Sequence, residues 1–355
     1  MKVSIITYHD EDNYGATLQA YATYKAVESL GYKPEIINLH LPYRFSLATK
    51  LVFSLKRWRL NSFRKRFMPV MTKVYHSVDE LRQDPPSSDV YLVGSDQTWN
   101  PTISRANALA YFLDFGGSGI KRISYASSFG VSHWEDSDVA KKEKVQELLA
   151  RFSTLLVRES NAVDILRDEF GLASTQVVDP VLLFPSYPEL TGDIGETDRM
   201  IVYKIKNDAE FYKKAVTIGQ RLGCDIHSVG SMRRLEGIHT HYPERLEKWM
   251  ANIGTAKYVF TDSFHGTVLS LLYHRQFVVY VGEAKKLSRL SSLLELLGLE
   301  NRICWGEDDL EKIINLLQTP IDYKNVDEIL NKERKNSLAC LRKAIENKKN
   351  EKIKK

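Results

Sequence analysis

Short apolar runs alternate with longer amphipathic stretches along almost the whole chain. Runs such as Val90–Val93 and Tyr258–Thr261 have no charged residues and predict buried β-strands. Stretches such as Ala209–Leu222 place apolar residues at helical spacing and predict helices that cover a sheet. This alternation predicts an α/β fold with parallel sheets.

The same pattern gives the approximate bounds of the individual elements. Strands are predicted at residues 3–7, 35–38, 90–93, 122–125, 155–157, 176–178, 201–203, 225–229, 258–261 and 277–281. Helices are predicted at residues 16–30, 139–151, 162–170, 209–222, 244–251, 267–273, 287–297, 309–317 and 327–349.

A polar segment divides the predicted elements into two series. Residues 185–199 contain two prolines and two glycines, which is typical of a linker. We therefore predict two Rossmann-like domains facing a central cleft, at residues 1–185 and 200–318. Residues 319–355 form a charged helix and a lysine-rich tail, and we expect them to brace the first domain.

Composition narrows the class of protein. The chain has 355 residues, of which 43% are hydrophobic and 27% are charged, as is normal for a soluble two-domain protein. Its three cysteines are far apart and form no CxxC, which argues against a disulfide framework or a zinc site. The N-terminus lacks the apolar core of a signal peptide, and no run reaches the roughly 18 apolar residues of a membrane span. We therefore expect a cytoplasmic protein, and no cluster of carboxylates and histidines indicates a bound metal.

The positive charge is concentrated in one segment, residues 41–73. Between Arg44 and Lys73 there are nine lysines and arginines and no acidic residue. Apolar residues, including Trp58, recur at helical spacing among these cations, a pattern typical of helices that lie on anionic membranes. A core helix with a cationic outer face remains an alternative. Nucleic-acid binding is a third, although no recognised binding module is present.

Polar residues follow two predicted strands of the first domain. The loop after strand 3–7 ends in Asn13-Tyr14-Gly15, and Gly94-Ser95-Asp96-Gln97-Thr98-Trp99-Asn100 follows strand 90–93. The carboxyl ends of parallel strands form the ligand sites of open α/β sheets, so both loops are candidate binding loops. Asn13 has the alternative role of a helix cap, and Trp99 is either a pocket wall for a sugar or a core residue.

Two further strand ends carry candidate residues. Arg158 follows strand 155–157, where it can bind a carboxylate or phosphate, or simply pair with Glu159 or Asp164. His265 lies between strand 258–261 and the next helix, beside Ser263 and Gly266. The N-terminus of a helix offers N–H groups and a positive dipole end to an anion.

Together these segments resemble the polysaccharide pyruvyl transferase family. The resemblance extends from residue 2 to about residue 280. It rests on the ordered motifs Asn13-Tyr14-Gly15, Gly94-Ser95-Asp96-Gln97-x-Trp99-Asn100, Ser124-Tyr125-Ala126-Ser127-Ser128-Phe129-Gly130, Val157-Arg158-Glu159-x-x-Ala162, Asp179-Pro180-x-Leu182-Leu183 and Ser263-Phe264-His265-Gly266.

This resemblance implies a fold like that of the GT-B glycosyltransferases. It also implies transfer of a pyruvyl group from phosphoenolpyruvate to a sugar, with formation of a cyclic ketal and release of phosphate. Characterised members engage the donor through an Arg-Leu-His motif, whose histidine corresponds to His265, and through an arginine of the first domain, for which Arg158 is the best match. Ser263 stands where many members have the arginine of that motif.

The resemblance gives the expected donor-side roles of His265 and Arg158, and the positions of the other candidate residues at strand ends give theirs as hypotheses. His265 and Asp96 are the expected catalytic residues. The donor is expected to contact Arg158, Ser263, Gly266 and Thr267, and the acceptor is expected to contact Asn13, Tyr14, Gly15, Gln97 and Trp99.

The expected substrates follow from the same resemblance, and the expected membrane contact follows from the basic segment. Phosphoenolpyruvate is the expected donor substrate, with no separate cofactor. The acceptor is expected to be a hexose, such as galactose, of a lipid-linked surface-polysaccharide precursor, and segment 41–73 would hold the protein at the inner face of the membrane. Two alternatives remain, namely a GT-B glycosyltransferase that uses a nucleotide sugar and a non-catalytic saccharide-binding relative.

Overall fold

The computed structural model describes residues 1–40, 47–205, 208–230, 235–282 and 288–347. Side chains of the basic segment are described from residue 54 onwards. The chain forms two compact units. The first unit comprises Met1–Lys50, Asn61–Leu183 and Asn331–Lys355, and the second comprises Leu51–Leu60 and Phe184–Leu330.

The described part of the first unit is built on a five-stranded parallel sheet with the order β3-β2-β1-β4-β5. Its strands are β1 (Lys2–Ile6), β2 (Lys33–Leu39), β3 (Met71–Tyr75), β4 (Val90–Val93) and β5 (Lys121–Ser124). A short parallel pair, β6 (Leu156–Val157) and β7 (Thr175–Gln176), continues beyond β5 through isolated bridges at Ile123–Thr154 and Ser127–Val157.

Helices connect these strands. They are α1 (Tyr14–Ser29), α2 (Leu47–Phe67), α3 (Val78–Gln83), α4 (Pro101–Ser104), α5 (Ala108–Tyr111), α6 (Lys142–Leu149) and α7 (Ser160–Asp168). The last helix of the chain, α14 (Tyr323–Glu346), adds its second half to this unit: Arg334 donates to the Leu182 carbonyl at 2.7 Å, and Ser337 Oγ accepts the Val178 N–H at 3.1 Å.

The second unit contains a six-stranded parallel sheet with the order β10-β9-β8-β11-β12-β13 in the residues that the structure describes. Its strands are β8 (Arg199–Tyr203), β9 (Asp225–Val229), β10 (His239–His241), β11 (Tyr258–Thr261), β12 (Gln276–Val281) and β13 (Ile303–Trp305). Its helices before α14 are α8 (Pro188–Thr191), α9 (Ala209–Leu222), α10 (Leu246–Gly254), α11 (Phe264–Leu272), α12 (Ser288–Leu296) and α13 (Leu310–Gln318).

The predicted α/β class with two parallel sheets is confirmed. Strand β4 is buried at all four residues and β11 at three of its four, as is typical of parallel strands inside an α/β fold, and this burial explains their continuous apolar sequences. The strands β3, β10 and β13 were not predicted from the sequence, and all three lie at sheet edges. The segment predicted as a linker contains the short helix α8 and the fully buried Tyr187.

Each sheet reverses its strand order at one place. In the first unit β1 lies beside both β2 and β4, and in the second β8 lies beside both β9 and β11. Loops that leave the carboxyl ends of the strands diverge at such a switch point and leave a crevice for ligands. Functional side chains are therefore expected at these two switch points.

Candidate functional site

The loop after β4 is held by close contacts with the end of β1. A Cβ atom at Gly94 would lie 3.0 Å from the Thr7 Cβ, and the Thr7 hydroxyl donates to the Ser95 carbonyl at 2.9 Å. Asp96, two residues past the strand, has a left-handed backbone with φ of 71°. Outside glycine such a backbone is uncommon, although aspartate tolerates it better than most residues. The loop therefore fixes the direction of the Asp96 side chain at the switch point.

Arg158 lies immediately after β6 and is surrounded by carboxylates. Its guanidinium is 2.8 Å from Asp179, 3.6 Å from Asp96 and 3.7 Å from Glu159. Ser95 Oγ donates to Asp179 at 3.0 Å. Four segments far apart in the sequence thus meet in one ion-pair network, which we call the Arg158 network: Ser95 and Asp96, Arg158 and Glu159, Asp179, and Ser128, whose hydroxyl donates to Glu159 at 2.6 Å.

The network is buried except at one member. The side chain of Arg158 is 2% exposed, those of Asp179 and Glu159 are 0% exposed, and that of Asp96 is 16% exposed. Burial alone lowers the pKa of Arg158, but the charges of Asp179, Asp96 and Glu159 outweigh burial and raise it. Arg158 therefore stays charged and is already neutralised by protein groups. This geometry favours the structural alternative, in which Arg158 pairs with carboxylates, and donor binding by Arg158 stays a prediction.

Two other residues of the same loop have different surroundings. Gln97 is partly exposed and packs against Gly130, which has φ of 66° and where a Cβ atom would lie 2.0 Å from the Gln97 Oε1. Trp99 is fully buried, stacks on Phe112 with ring centroids 5.9 Å apart and donates its indole N–H to the Tyr111 carbonyl at 3.0 Å. Trp99 is therefore a core residue in this structure, because no face of its ring is open to a sugar. The structure thus gives Trp99 the core role that was its alternative, and contact with the acceptor stays a prediction.

The loop after β1 leads into α1. Asn13 caps this helix, its side chain accepting the Ala16 N–H at 3.2 Å, and Tyr14 and Gly15 are buried in the first turn. The structure thus gives Asn13 the capping role that was its alternative interpretation. A small cavity at the same switch point is lined by Thr7, Tyr8, His9, Asp10, Glu11, Leu39 and Tyr111. The predicted acceptor residues Asn13, Tyr14, Gly15, Gln97 and Trp99 are not among the residues that line this cavity.

In the second unit the predicted donor residues form the first turn of α11. Ser263 is the cap of this helix: its hydroxyl accepts the Gly266 N–H at 3.3 Å, and its carbonyl accepts the Thr267 hydroxyl at 3.1 Å. Gly266 is required by packing, because a Cβ atom there would lie 2.7 Å from the Thr261 hydroxyl. Ser263, Gly266 and Thr267 are thus engaged with one another in this structure, and donor contact by them stays a prediction.

His265 is the second residue of α11. It is 7% exposed, and its ring meets the ring of Phe264 edge-on with centroids 5.4 Å apart. It lies at the carboxyl end of β11, next to the switch point of the second sheet. The imidazole is therefore held in a mostly desolvated place at the end of the sheet where ligands of this fold class bind.

A charged pair that the sequence patterns did not predict lies at this second switch point. Lys204 and Asp262 are the first residues after the neighbouring strands β8 and β11, and their side chains lie 2.8 Å apart. Lys204 also lies 3.5 Å from Asp208, the cap of α9, and its ammonium lies over the Phe211 ring at 4.6 Å. The rule that polar residues at adjacent strand ends converge would have identified this pair, but the position of Lys204 beside Asp262 depends on the strand order.

The basic segment forms α2, as the helical spacing predicted, while residues 41–46 lie outside the described part. Several of its cations face the protein. Lys56 is 7% exposed and lies over the Tyr242 ring at 5.7 Å, Arg59 donates to the Pro243 carbonyl, and the buried Arg64 donates to the Glu11 carbonyl at 2.7 Å. The exposed side of the helix instead carries Trp58, 61% exposed, and Leu55, 44% exposed.

Two kinds of feature are absent from the part of the chain that the structure describes. No group of three or more His, Cys, Asp or Glu side chains in the described ranges is arranged to hold a metal ion. No helix within the same ranges combines the length and the apolar character needed to cross a membrane.

Comparison with solved structures identifies the fold. A Listeria monocytogenes protein described as a UDP-N-acetylglucosamine 2-epimerase has a TM-score of 0.57 at 13% identity, with 98% of each chain covered. The UDP-GlcNAc 2-epimerase of Methanocaldococcus jannaschii has a TM-score of 0.52 at 14% identity and covers 91% of this chain and 93% of its own. The spinosyn forosaminyltransferase SpnP has a TM-score of 0.52 at 10% identity and covers 98% of this chain and 100% of its own. These similarities confirm the GT-B-like fold, and at such low identity they are informative about the fold alone.

Comparison of the sequence identifies the family. None of the curated proteins matches the chain. The model of the polysaccharide pyruvyl transferase family matches residues 13–282, which is most of the chain. The chain therefore belongs to the polysaccharide pyruvyl transferase family.

Proposed function

We propose that this protein transfers a pyruvyl group from phosphoenolpyruvate to two hydroxyl groups of one sugar of a lipid-linked saccharide. The products are a cyclic pyruvate ketal and phosphate. The observation that supports this proposal is the family match over residues 13–282. Each unit also has a group suited to proton transfer at its switch point, Asp96 in the first and His265 in the second.

The proposed reaction balances without a redox partner. A proton is added to the methylene carbon of phosphoenolpyruvate, which becomes a methyl group and leaves C2 electrophilic. One sugar hydroxyl attacks C2, and the second hydroxyl closes the ring as the C2–O bond to phosphate breaks. Of the two hydroxyl protons, one replaces the proton given to carbon and the other leaves with phosphate.

We assign His265 to proton transfer on the donor side and Asp96 to proton acceptance from a sugar hydroxyl. Histidine ordinarily titrates near neutral pH, which suits it to both giving and taking a proton. The carboxylate of Asp96 is the exposed end of the Arg158 network and has a fixed backbone, so it is suited to orient a hydroxyl. General acid–base groups of this kind contribute roughly 10²–10⁴-fold to rate.

The first experiment compares donors. The purified protein is incubated with phosphoenolpyruvate or with nucleotide sugars, together with lipid-linked galactose, glucose or mannosamine acceptors, and phosphate release and product mass are measured. We expect phosphate release from phosphoenolpyruvate that depends on one acceptor. Consumption of a nucleotide sugar instead would replace the proposal by a glycosyltransferase. Phosphoenolpyruvate binding without release under all conditions would indicate a non-catalytic relative.

The second experiment tests the assignment of His265. His265→Ala is expected to lower kcat by roughly 10²–10⁴-fold at saturating donor, because the proton-transfer group is lost. His239→Ala removes an exposed histidine of the same unit and is the matched control, expected to retain activity. Near-normal turnover by His265→Ala would show that the assignment is wrong.

We also propose that the exposed side of α2 contacts the inner leaflet that carries the lipid-linked acceptor. Trp58 and Leu55 are exposed there, and Lys65 and Arg66 are exposed farther along the helix. An aromatic residue among cations is suited to an anionic lipid surface. Because Lys56 and Arg59 face the protein, Trp58 replaces them as the residue to test.

Binding to vesicles with and without anionic phospholipid tests this contact. Trp58→Ser is expected to weaken sedimentation with anionic vesicles, and added salt should weaken the wild-type interaction further because it screens the cations. Trp305→Ser, which removes a partly exposed tryptophan outside α2, is the control. Equal binding by wild type and Trp58→Ser would remove the membrane contact from the proposal.

A further inference from the structure

The Arg158 network has a property that its sequence motifs do not reveal. It contains one guanidinium and three carboxylates, those of Asp96, Glu159 and Asp179. Its carboxyl groups therefore outnumber its one cation. Phosphoenolpyruvate carries about three negative charges near neutral pH, by analogy with phosphate esters, and would be repelled here. A neutral ligand that donates hydrogen bonds, such as a sugar hydroxyl, suits this network better.

The exposure of the side chains in the network also favours contact with a sugar hydroxyl over contact with the donor. The side chain of Arg158 is 2% exposed and its Nη1 already contacts Asp179 at 2.8 Å and Ser95 Oγ at 3.4 Å. Asp96 has the most exposed side chain of the three carboxylates, at 16%. A ligand at this loop therefore meets Asp96 before it meets Arg158.

The backbone presents Asp96 in one orientation. Its φ of 71° lies in the left-handed region, and its Oδ1 accepts the Gln97 N–H at 2.9 Å. Its carbonyl accepts the Ser128 N–H at 3.1 Å, which ties the loop to the segment after β5. The buried guanidinium lies 3.6 Å from Asp96 Oδ1, which is ion-pair distance, and its charge attracts the carboxylate.

We propose that Arg158 is a positioning residue that orients the carboxylate of Asp96 toward a hydroxyl of the acceptor, and that it does not bind the donor. This inference rests on the proposed function for the identity of the acceptor. It reassigns Arg158 from contact with phosphoenolpyruvate to support of the residue that contacts the sugar.

Four variants test the inference. Arg158→Gln removes the charge and keeps a hydrogen-bond donor, Arg158→Lys keeps the charge, and Asp96→Asn removes the carboxylate. Arg122→Gln is the matched control, because Arg122 is also buried in the first unit but donates to backbone carbonyls, among them those of Leu113, Phe115 and Gly116. For each variant kcat, the KM for phosphoenolpyruvate, the KM for acceptor and the pH profile of kcat/KM are measured, together with the melting temperature.

The expected results separate positioning from donor binding. Arg158→Gln should lower kcat/KM for acceptor by roughly tenfold to a hundredfold, as misplaced catalytic groups do, and leave the KM for phosphoenolpyruvate within about twofold. The acidic limb of its pH profile should move to higher pH by about one unit, because loss of a nearby cation makes a carboxylate easier to protonate. In Arg158→Lys the acidic limb should stay close to its wild-type position, because the positive charge is kept. In Arg122→Gln its position should be unchanged.

Several groups face Asp96 and influence the pH at which its carboxyl group titrates. They are Arg158 from the end of β6, the Gln97 N–H of its own loop and Tyr8 from the end of β1, with Glu159 and Asp179 on the other sides of the guanidinium. A rise of about tenfold in the KM for phosphoenolpyruvate with an unchanged pH profile would overturn the inference. The inference would also be overturned if the activity of Arg158→Gln fell only in proportion to its loss of folded protein and Arg122→Gln behaved in the same way.

A second measurement does not depend on the reaction. Carbon-13 NMR of aspartate-labelled protein, with Asp96→Asn to assign the signal, follows the titration of the Asp96 carboxyl group. We expect its midpoint to be higher in Arg158→Gln than in wild type and unchanged in Arg122→Gln. Equal midpoints would overturn the inference, whereas failure of the wild type to release phosphate would count against the proposed function alone.

Discussion

The two switch points use charge in different ways. In the first unit Arg158 binds three carboxylates, two of which have no exposed side-chain surface. In the second unit Lys204 pairs with Asp262 and Asp208, whose side chains are 18% and 36% exposed. The guanidinium can contact several carboxylates through its fork, whereas the ammonium of lysine is a compact charge on a flexible stem.

This difference indicates different tasks for the two regions. A network that is buried at every member except Asp96 has one stable arrangement, because each unpaired buried charge would carry a large desolvation penalty. A partly exposed pair can separate at lower cost, because water solvates the carboxylates that it releases. The first switch point is therefore suited to hold a side chain in one orientation, and the second is suited to rearrange when a charged ligand binds.

The largest expected effect concerns the buried network. Arg158→Met leaves three carboxylates without their cation, and we expect it to lower the free energy of unfolding by about 3–5 kcal/mol. Denaturant titration followed by circular dichroism of the whole protein measures this change. A loss below about 1 kcal/mol would show that the network is no more coupled than a surface ion pair, and the contrast between the two units would disappear.

A buried carboxyl group of the second unit, Glu244, is expected to make the stability of that unit depend on pH. Glu244 accepts from the amide of Asn252 at 2.8 Å, and burial raises its pKa to about 7, although the Asn252 hydrogen bond opposes this shift. A raised carboxyl pKa in the fold means that stability is complete below the ordinary value of about 4.5 and falls as pH rises through 7.

Glu244→Gln should remove this pH dependence. At pH 8 the variant is expected to exceed wild type in unfolding free energy by an amount on the order of 1–3 kcal/mol, and this gain should shrink toward pH 5. Thermal melting of both proteins from pH 5 to pH 8 measures the difference. A gain that is constant over this range would contradict the raised pKa.

The smallest expected effect concerns the partly exposed pair. Lys204→Met is expected to lower the free energy of unfolding by about 1 kcal/mol, because Asp262 and Asp208 keep contact with water. The same denaturant titration compares it directly with Arg158→Met. Equal losses in the two variants would mean that the second switch point is as rigid as the first.

The local pattern of the sequence was sufficient to predict the central elements. Val90–Val93, Tyr258–Thr261 and Ala209–Leu222 have the predicted bounds, because continuous apolar runs and helical periodicity depend on neighbouring residues in the chain. The edge strands His239–His241 and Ile303–Trp305 were missed, because each has only three residues, which is too short for a periodic pattern to be recognised.

By itself the sequence determined the fold class, the family and the loops in which the candidate residues lie. The tertiary structure decided what each of those residues touches. Arg158 meets Asp179 and Asp96, and Lys204 meets Asp262, because parallel strands bring their carboxyl ends together across long separations in the chain. Periodicity reports which side of an element is buried, but strand order and register determine which charges become neighbours, and these depend on packing of the whole sheet.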